Sequence, residues 1–135
     1  MRRDAREAVF IRLYRDSFFS EQDNVFAKRI YKEHNLSESD CVFAETLYKT
    51  VKENEEQLLN IIAGLSQGFL LNRIFLTDKC ALLIGLCEMT YFSDVPNIVA
   101  IDEAIALTKK FSAEKSQGFV NGILAEYKKR IEGEN

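Results

Sequence analysis

The segment from Cys80 to Met89 constrains the fold of this chain more than any other. Nearly all of its residues are apolar, including Ala81, Leu82, Leu83, Ile84, Leu86 and Cys87. A helix that is apolar all round must be covered on every side, so this segment predicts the centre of a helical bundle. Thr77-Asp78 is its predicted start, and Asp94-Val95-Pro96 ends it because the residue before proline resists helical dihedral angles.

The rest of the chain also predicts helices. Apolar residues recur at helical spacing almost throughout, and no stretch alternates convincingly as a strand. One proline and six glycines in 135 residues disfavour a turn-rich β architecture. The sequence therefore predicts one all-α domain, residues 1–135, with six or seven helices. The predicted boundaries are a first helix over Asp4–Phe18, a turn over Ser20–Asp23, a capping box at Ser37–Asp40, a joint at Glu53–Glu56 and a cap for the last helix at Ser112.

Charge and cysteine content exclude several classes of protein. The formal net charge of −3 leaves no whole-molecule attraction for nucleic acid, so RNA or DNA binding requires a local basic patch. The N-terminus has no long apolar run, which predicts a cytoplasmic protein without a signal peptide or membrane span. Cys80 and Cys87 lie about 10 Å apart along one predicted helix, too far for a disulfide. We expect reduced, mostly buried thiols.

The N-terminal stretch is the one strongly basic part of the chain. Residues 1–15 hold five arginines against Asp4 and Glu7. Arg3, Phe10 and Tyr14 can share one helical stripe, because positions seven and eleven apart differ by only about 20°. Charged and aromatic side chains together can hold a single strand of nucleic acid. The alternative is that the rings belong to the core and the arginines form a solvated helix end.

The remaining polar residues give little support to catalysis. Lys109, Lys110 and Lys115 lie near the junction of the last two helices, where lysines also complement the helix dipole. Asp102 and Glu103 point about 100° apart on a helix and do not converge. The only histidine, His34, has Cys41 nearby in sequence, but nothing marks the two as base and nucleophile. The sequence predicts no enzyme, no metal site and no cofactor.

The last predicted helix contains an unusual pair, Asn121-Gly122, because both residues lower helix propensity. One interpretation is close helix packing at Gly122, and the other places Asn121 on a ligand surface. Phe119 precedes the pair and is expected to be exposed and available for stacking.

Several segments together resemble the NusB family of bacterial transcription antitermination factors. The resemblance spans essentially the whole chain and is strongest from Asp78 to Leu124. Its most specific segments are Asp94-Val95-Pro96, Val99-Ala100-Ile101-Asp102-Glu103-Ala104-Ile105, Lys109-Lys110-Phe111-Ser112 and Phe119-Val120-Asn121-Gly122-Ile123-Leu124.

The resemblance implies two small helical subdomains and no catalysis. It also implies binding of boxA-type single-stranded RNA together with NusE, a small-subunit ribosomal protein. In that family the complex helps RNA polymerase resist termination on ribosomal RNA operons. A related domain precedes an RNA cytosine methyltransferase, but 135 residues leave no room for that catalytic domain, so the free-standing factor is the better match.

Site residues follow from the resemblance position by position. The arginine-rich RNA-binding motif falls on Arg2, Arg3 and Arg6. A tyrosine of the family falls on Tyr14 and the aromatic residue beside the RNA path on Phe119, and we expect both to bind RNA. Lys115 stands where relatives can have an acidic residue, and a lysine there is expected to help hold phosphate. Asp78 matches an acidic position that faces NusE. Asp4 interrupts the arginine run, and Asp102 stands where the family usually has Asn. The second hypothesis is a helical protein-interaction domain without RNA binding, in which the basic residues are scattered instead of forming one surface.

Overall fold

A computed structural model describes residues 1–21, 23–66 and 71–133. These residues form seven α-helices and one short 3-10 turn, with no strand among them. The prediction of an all-α fold is therefore confirmed. The helices are α1 (Arg2–Asp16), α2 (Asn24–Glu33), α3 (Glu38–Glu53), α4 (Glu55–Leu65), α5 (Leu76–Tyr91), α6 (Asn97–Phe111) and α7 (Ser116–Ile131), and the 3-10 turn is Leu71–Arg73.

Helix α5 lies at the centre of the fold. Every residue from Cys80 to Met89 is buried, and the helix packs against α1, α3, α4, α6 and α7. Gly85 permits the closest approach, because a Cβ atom there would lie 3.0 Å from both Ala104 Cβ and Leu124 Cδ1. The predicted central helix is confirmed.

The other helices form two groups around α5. Helix α1 packs against α2 and α3, while α7 packs against α4 and α6. Helices α1 and α6 run side by side in the same direction, because Arg3 pairs with Glu103, Glu7 with Lys110, and Phe10 stacks on Phe111 at 4.5 Å. This pairing brings the N-terminal arginines beside residues about a hundred positions later.

Local signals explain most helix ends. Asp23 caps α2 by accepting a hydrogen bond from the backbone N–H of Phe26, and Ser37 caps α3 by accepting one from Asp40. Asn54 separates α3 from α4 within the predicted joint. The predicted cap at Ser112 was wrong: Ser112 ends α6, and α7 starts four residues later without a side-chain cap.

The predicted close packing at Gly122 was also wrong. Gly122 is exposed, and a Cβ atom there would meet no atom of the described residues within 4 Å. The tight contact is at Gly85 instead. The sequence around Gly85 did not indicate this contact, because the whole segment is apolar. No helix in the described ranges is both long and apolar enough to cross a membrane.

Candidate nucleic-acid interface

A basic cleft lies between the start of α1 and the second half of α6. Its volume is about 250 Å³, and its charged walls carry the cations Arg3, Arg6, Lys109 and Lys110 with the carboxylates Glu7 and Glu103. Two of the cations reach solvent directly, because the side chains of Arg3 and Lys110 are 57% and 56% exposed. Lys109 is exposed as well. The cleft therefore presents a surplus of positive charge to solvent.

Two carboxylates orient the exposed cations of the cleft. Glu103 Oε2 accepts a hydrogen bond of 2.9 Å from Arg3 Nε, and this contact raises the pKa of the Arg3 guanidinium. Glu7 accepts two bonds, of 2.9 and 3.0 Å, from Lys110 Nζ. Both arginine and lysine are good donors to phosphate oxygens, arginine in a planar fork and lysine as a point charge. The cleft can therefore hold an anionic backbone.

Arg6 occupies a different environment from Arg3. The residue is only 3% exposed, and its guanidinium forms a fork with the fully buried carboxylate of Glu88, with contacts of 2.7 to 3.1 Å. Burial raises the pKa of the Glu88 carboxyl, and the Arg6 fork opposes that shift. Because the Arg6 guanidinium is buried and already paired, it has few donors available for RNA. Arg6 therefore supports the cleft from beneath its surface.

Arg2 lies outside the cleft, in a shallow groove between α3 and the end of α5. Its guanidinium lies 4.3 Å from the centre of the Phe43 ring and 3.4 Å from Asp94 Oδ2. Val42 and Tyr91 also line this groove. Arg2 and Arg3 are adjacent in sequence, but they point about 100° apart on α1 and line different depressions.

Lys115 and Phe119 lie together at a third depression, at the start of α7. Arg73, Ile74, Phe75 and Asp78 complete most of its wall. Lys115 is exposed, whereas Phe119 is half-buried and packs against the hydrophobic core. The expectation of an exposed Phe119 was wrong because Phe119 precedes the buried Ile123 by one helical turn and so shares its face.

Asp78 has an internal role at this depression. It is 3% exposed, and its two carboxylate oxygens accept hydrogen bonds from Ser112 at 2.6 Å and Ser116 at 2.9 Å. Ser112 also contacts Thr77 at 2.8 Å. These bonds tie the start of α5 to the junction between α6 and α7. Contact between Asp78 and NusE remains a prediction, and any such contact has to be made through a carboxylate that is already satisfied.

Tyr14 is partly exposed near the end of α1, at 40%, and contacts Phe18 edge to face. Phe18 and Phe19 are also exposed, and Arg15 lies 4.7 Å from the centre of the Phe19 ring. The end of α1 and the turn after it thus carry three accessible rings. Phe10, in contrast, is a core residue at 2% exposure.

The two residues considered for catalysis, His34 and Cys41, each have other contacts. His34 contacts Glu7 through Nε2 at 3.8 Å and the backbone oxygen of Ile30 through Nδ1, whereas Cys41 contacts the backbone of Leu36. Burial raises the pKa of the Cys80 and Cys87 thiols to about 12. Within the described part of the chain, His, Cys, Asp and Glu form no group of three that could hold a metal ion.

The six residues predicted to bind RNA are therefore divided among separate places. Arg3 and Arg6 line the cleft, Arg2 the groove beside α3, and Lys115 and Phe119 the third depression. Tyr14 lies near the end of α1. Lys109 and Lys110 are the important additions to the cleft. Sequence reasoning discounted them because lysines at a helix C-terminus need no further explanation. The parallel pairing of α1 with α6 brings both lysines beside Arg3 in the cleft.

Comparison with known proteins identifies the family. The sequence matches the NusB family over residues 3–129. It is 40% identical over 86 residues to the transcription antitermination protein NusB of Limosilactobacillus reuteri. That matched segment covers 63% of this chain and 62% of the relative's length.

Solved structures agree with the sequence match. The NusB chain in the crystal structure of antitermination factors NusB and NusE in complex with dsRNA is similar over 96% of both chains, with a TM-score of 0.85 and 25% identity. T. maritima NusB is similar over 93% of this chain and 89% of its own, with a TM-score of 0.82 and 30% identity. NusB from Aquifex aeolicus gives a TM-score of 0.79 at 26% identity, over 99% and 92% of the two chains. Since the family match covers nearly the whole chain, this protein belongs to the NusB family.

Proposed function

We propose that this protein is a transcription antitermination factor that binds boxA-type single-stranded RNA together with NusE. In this role it promotes processive transcription of ribosomal RNA operons as part of the RNA polymerase antitermination complex, in the cytoplasm. The proposal includes no catalytic step and no cofactor. Support comes from the family membership, from the relative named as an antitermination protein and from the related structure that combines NusB, NusE and RNA.

The observation that carries the RNA-binding part is the basic cleft between α1 and α6. Its exposed cations Arg3, Lys109 and Lys110 come from two distant parts of a chain whose net charge is −3. A concentrated patch of this kind is what an acidic protein needs to attract a polyanion. We assign the phosphate contacts to these three residues first.

The proposed RNA path continues from the cleft towards Lys115 and Phe119. Lys110 and Lys115 are five positions apart, so their Cα atoms can be at most about 18 Å apart. This span is within the reach of one short single strand, and we assign both lysines to its path. We expect the exposed part of the half-buried Phe119 ring to contact a base, and Tyr14 offers a second ring near the end of α1.

We assign the NusE contact to the apolar side of the third depression. Phe75 is 63% exposed there, beside Ile74, and a large exposed ring is a common anchor in protein interfaces. Asp78 supports this surface by holding the α6–α7 junction in place. Phe75→Ala is therefore expected to weaken NusE binding in a calorimetric titration without changing intrinsic RNA affinity.

A salt-titrated RNA-binding assay tests the proposal. Fluorescence anisotropy with boxA-type RNA is measured for wild type, Arg3→Ala and Lys109→Ala, with and without NusE. Each variant is expected to bind more weakly, and the salt slope is expected to fall by about 0.7 for each lost phosphate contact. Arg29→Ala is the matched control, because Arg29 is an exposed arginine on α2, where it pairs with Glu33. Affinities and slopes equal to those of the control would contradict the assignment of the cleft.

Two observations favour the second candidate, a protein-interaction domain without RNA binding. The basic residues are divided among separate depressions instead of forming one surface. Arg2, Arg3 and Arg6 already face the carboxylates of Asp94, Glu103 and Glu88. The same titration separates the two candidates, because the alternative predicts NusE binding by wild type with no salt-dependent RNA binding under either condition.

A further inference from the structure

We propose that Glu103 and Glu7 act as internal counter-anions, which occupy phosphate positions in the α1–α6 cleft and are displaced when RNA binds. They would then set how tightly the cleft holds RNA. This inference rests on the proposed function, because it concerns the same cleft. It assigns a role in affinity to two acidic residues inside a basic site.

Glu103 is poised between two arginines. Its side chain is 16% exposed; Oε2 lies 2.9 Å from Arg3 Nε, and Oε1 lies 3.5 Å from Arg6 Nη1. Arg6 is already paired with Glu88 through three contacts. The charge of Arg6 is therefore compensated without Glu103, so Glu103 is surplus to the buried pair and is available to neutralise Arg3.

Glu7 lies on α1, one turn after Arg3, and pairs with Lys110 as Glu103 pairs with Arg3. Its side chain is 14% exposed and accepts two hydrogen bonds from Lys110 Nζ, while His34 Nε2 lies 3.8 Å away. Lys110 itself is more than half exposed. As with Arg3, the cation extends into solvent and the carboxylate lies behind it.

Phosphate and carboxylate compete for the same donors. Both are oxygen anions that guanidinium and ammonium groups bind with similar geometry. Ion pairs whose cation is this exposed contribute little to stability, so exchanging one anion for another costs little. An RNA phosphate that enters from solvent therefore meets Arg3 and Lys110 on their open sides.

The carboxylates have two opposing effects on RNA. They fix the positions of Arg3 and Lys110, which favours binding, and they cancel part of the positive charge, which disfavours it. Lysine has three rotatable donors, and Arg3 extends far into solvent, so neither cation needs a carboxylate to reach a phosphate. We therefore expect charge cancellation to outweigh positioning.

The test measures RNA binding by Glu103→Gln and Glu7→Gln. Glutamine keeps the side-chain length and one acceptor oxygen while removing the charge. Each variant is expected to bind boxA-type RNA at least about threefold more tightly at low salt. This is the size of the repulsion removed when one unit charge several ångströms from a phosphate in water is neutralised. The salt slope is expected to become steeper by up to about 0.7, because one more cation is free to replace counterions.

Glu33→Gln is the matched control. It makes the same change in net charge on α2, where Glu33 is exposed and pairs with Arg29. Thermal unfolding of all three variants checks the fold, and using two cleft variants keeps the test decisive if one of them is unstable.

The outcomes are distinct. Tighter binding and a steeper slope in the two cleft variants, but not in Glu33→Gln, would support the proposal. Affinities equal to that of Glu33→Gln would overturn it. Weaker binding by the cleft variants would also overturn it, because it would show that the carboxylates only position the cations. If wild type and both variants show no salt-dependent binding, the proposed RNA-binding function itself fails.

Discussion

At the scale of single residues, burial separates side chains that the sequence presents as equivalent. Arg3 and Arg6 belong to one short basic run, yet Arg3 is mostly in solvent and Arg6 is enclosed with Glu88. An exposed arginine can exchange partners with little cost, whereas a buried pair cannot lose one member without leaving an uncompensated charge. Replacing Arg3 should therefore change surface binding, whereas replacing Arg6 should lower the stability of the fold.

Arg6→Ala should destabilise the fold more than it affects any surface property. Removing one partner of a buried ion pair typically costs about 3–5 kcal/mol, because the remaining charge has no compensation. Urea denaturation measures the loss. Arg2→Ala serves as the control, since the Arg2–Asp94 pair is exposed on both sides and such pairs contribute about 0–1 kcal/mol. Similar unfolding free energies for the two variants would show that the Arg6–Glu88 pair is not a structural requirement.

At the scale of helices, the two glycines Gly85 and Gly122 should respond oppositely to alanine. At Gly85 the new methyl would lie 3.0 Å from atoms of both α6 and α7, and overpacking of this kind typically costs about 1–3 kcal/mol. At Gly122 the methyl meets no atom of the described ranges within 4 Å, so higher helix propensity should stabilise the protein by up to about 1 kcal/mol. Chemical denaturation of the two variants checks both signs. A stabilising Gly85→Ala would mean that α5, α6 and α7 can separate slightly without loss.

The start of α2 should give a pH-dependent contribution to stability. The Asp23 carboxylate accepts a hydrogen bond from the backbone N–H of Phe26, and this bond lowers the pKa of the Asp23 carboxyl. A carboxyl with a lowered folded-state pKa stabilises the protein above its unfolded pKa, and this stabilisation is lost as the pH falls through the folded pKa. Asp23→Ala should lower Tm by about 3–5 °C at pH 7, and the difference should shrink as the solution is acidified.

Asp23→Asn provides the comparison for that experiment. Asparagine can also cap a helix, so it should retain most of the stability at pH 7 without the acid-dependent loss. A Tm difference between wild type and Asp23→Ala that stays constant in acid would contradict a role for the ionised cap.

At the scale of the whole molecule, periodicity predicted the helices and the central position of α5, because a segment apolar on every side has only one place in a bundle. The cleft was harder to predict. Its walls join Arg3 to Lys109 and Lys110 through the parallel pairing of α1 and α6, and no local pattern encodes which distant helices pair. Burial of Arg6 was missed for the same reason, since its partner Glu88 lies 82 residues away. The family resemblance supplied the basic positions but not their division among three depressions.

Whether the cleft and the start of α7 act as one RNA-binding surface is the remaining question at this scale. Arg3 and Lys115 line different depressions, and distant residues without shared partners contribute additively to binding. If one strand follows both, Arg3→Ala and Lys115→Ala should each weaken binding of boxA-type RNA. The double variant should then lose the sum of the two changes in log Kd, and its salt slope should fall by about twice the 0.7 expected for one contact. Anisotropy titrations of the four proteins across a salt series measure these quantities. An unchanged RNA affinity in Lys115→Ala would show that the RNA path does not extend beyond Lys110. The start of α7 would then be assigned to the protein partner alone.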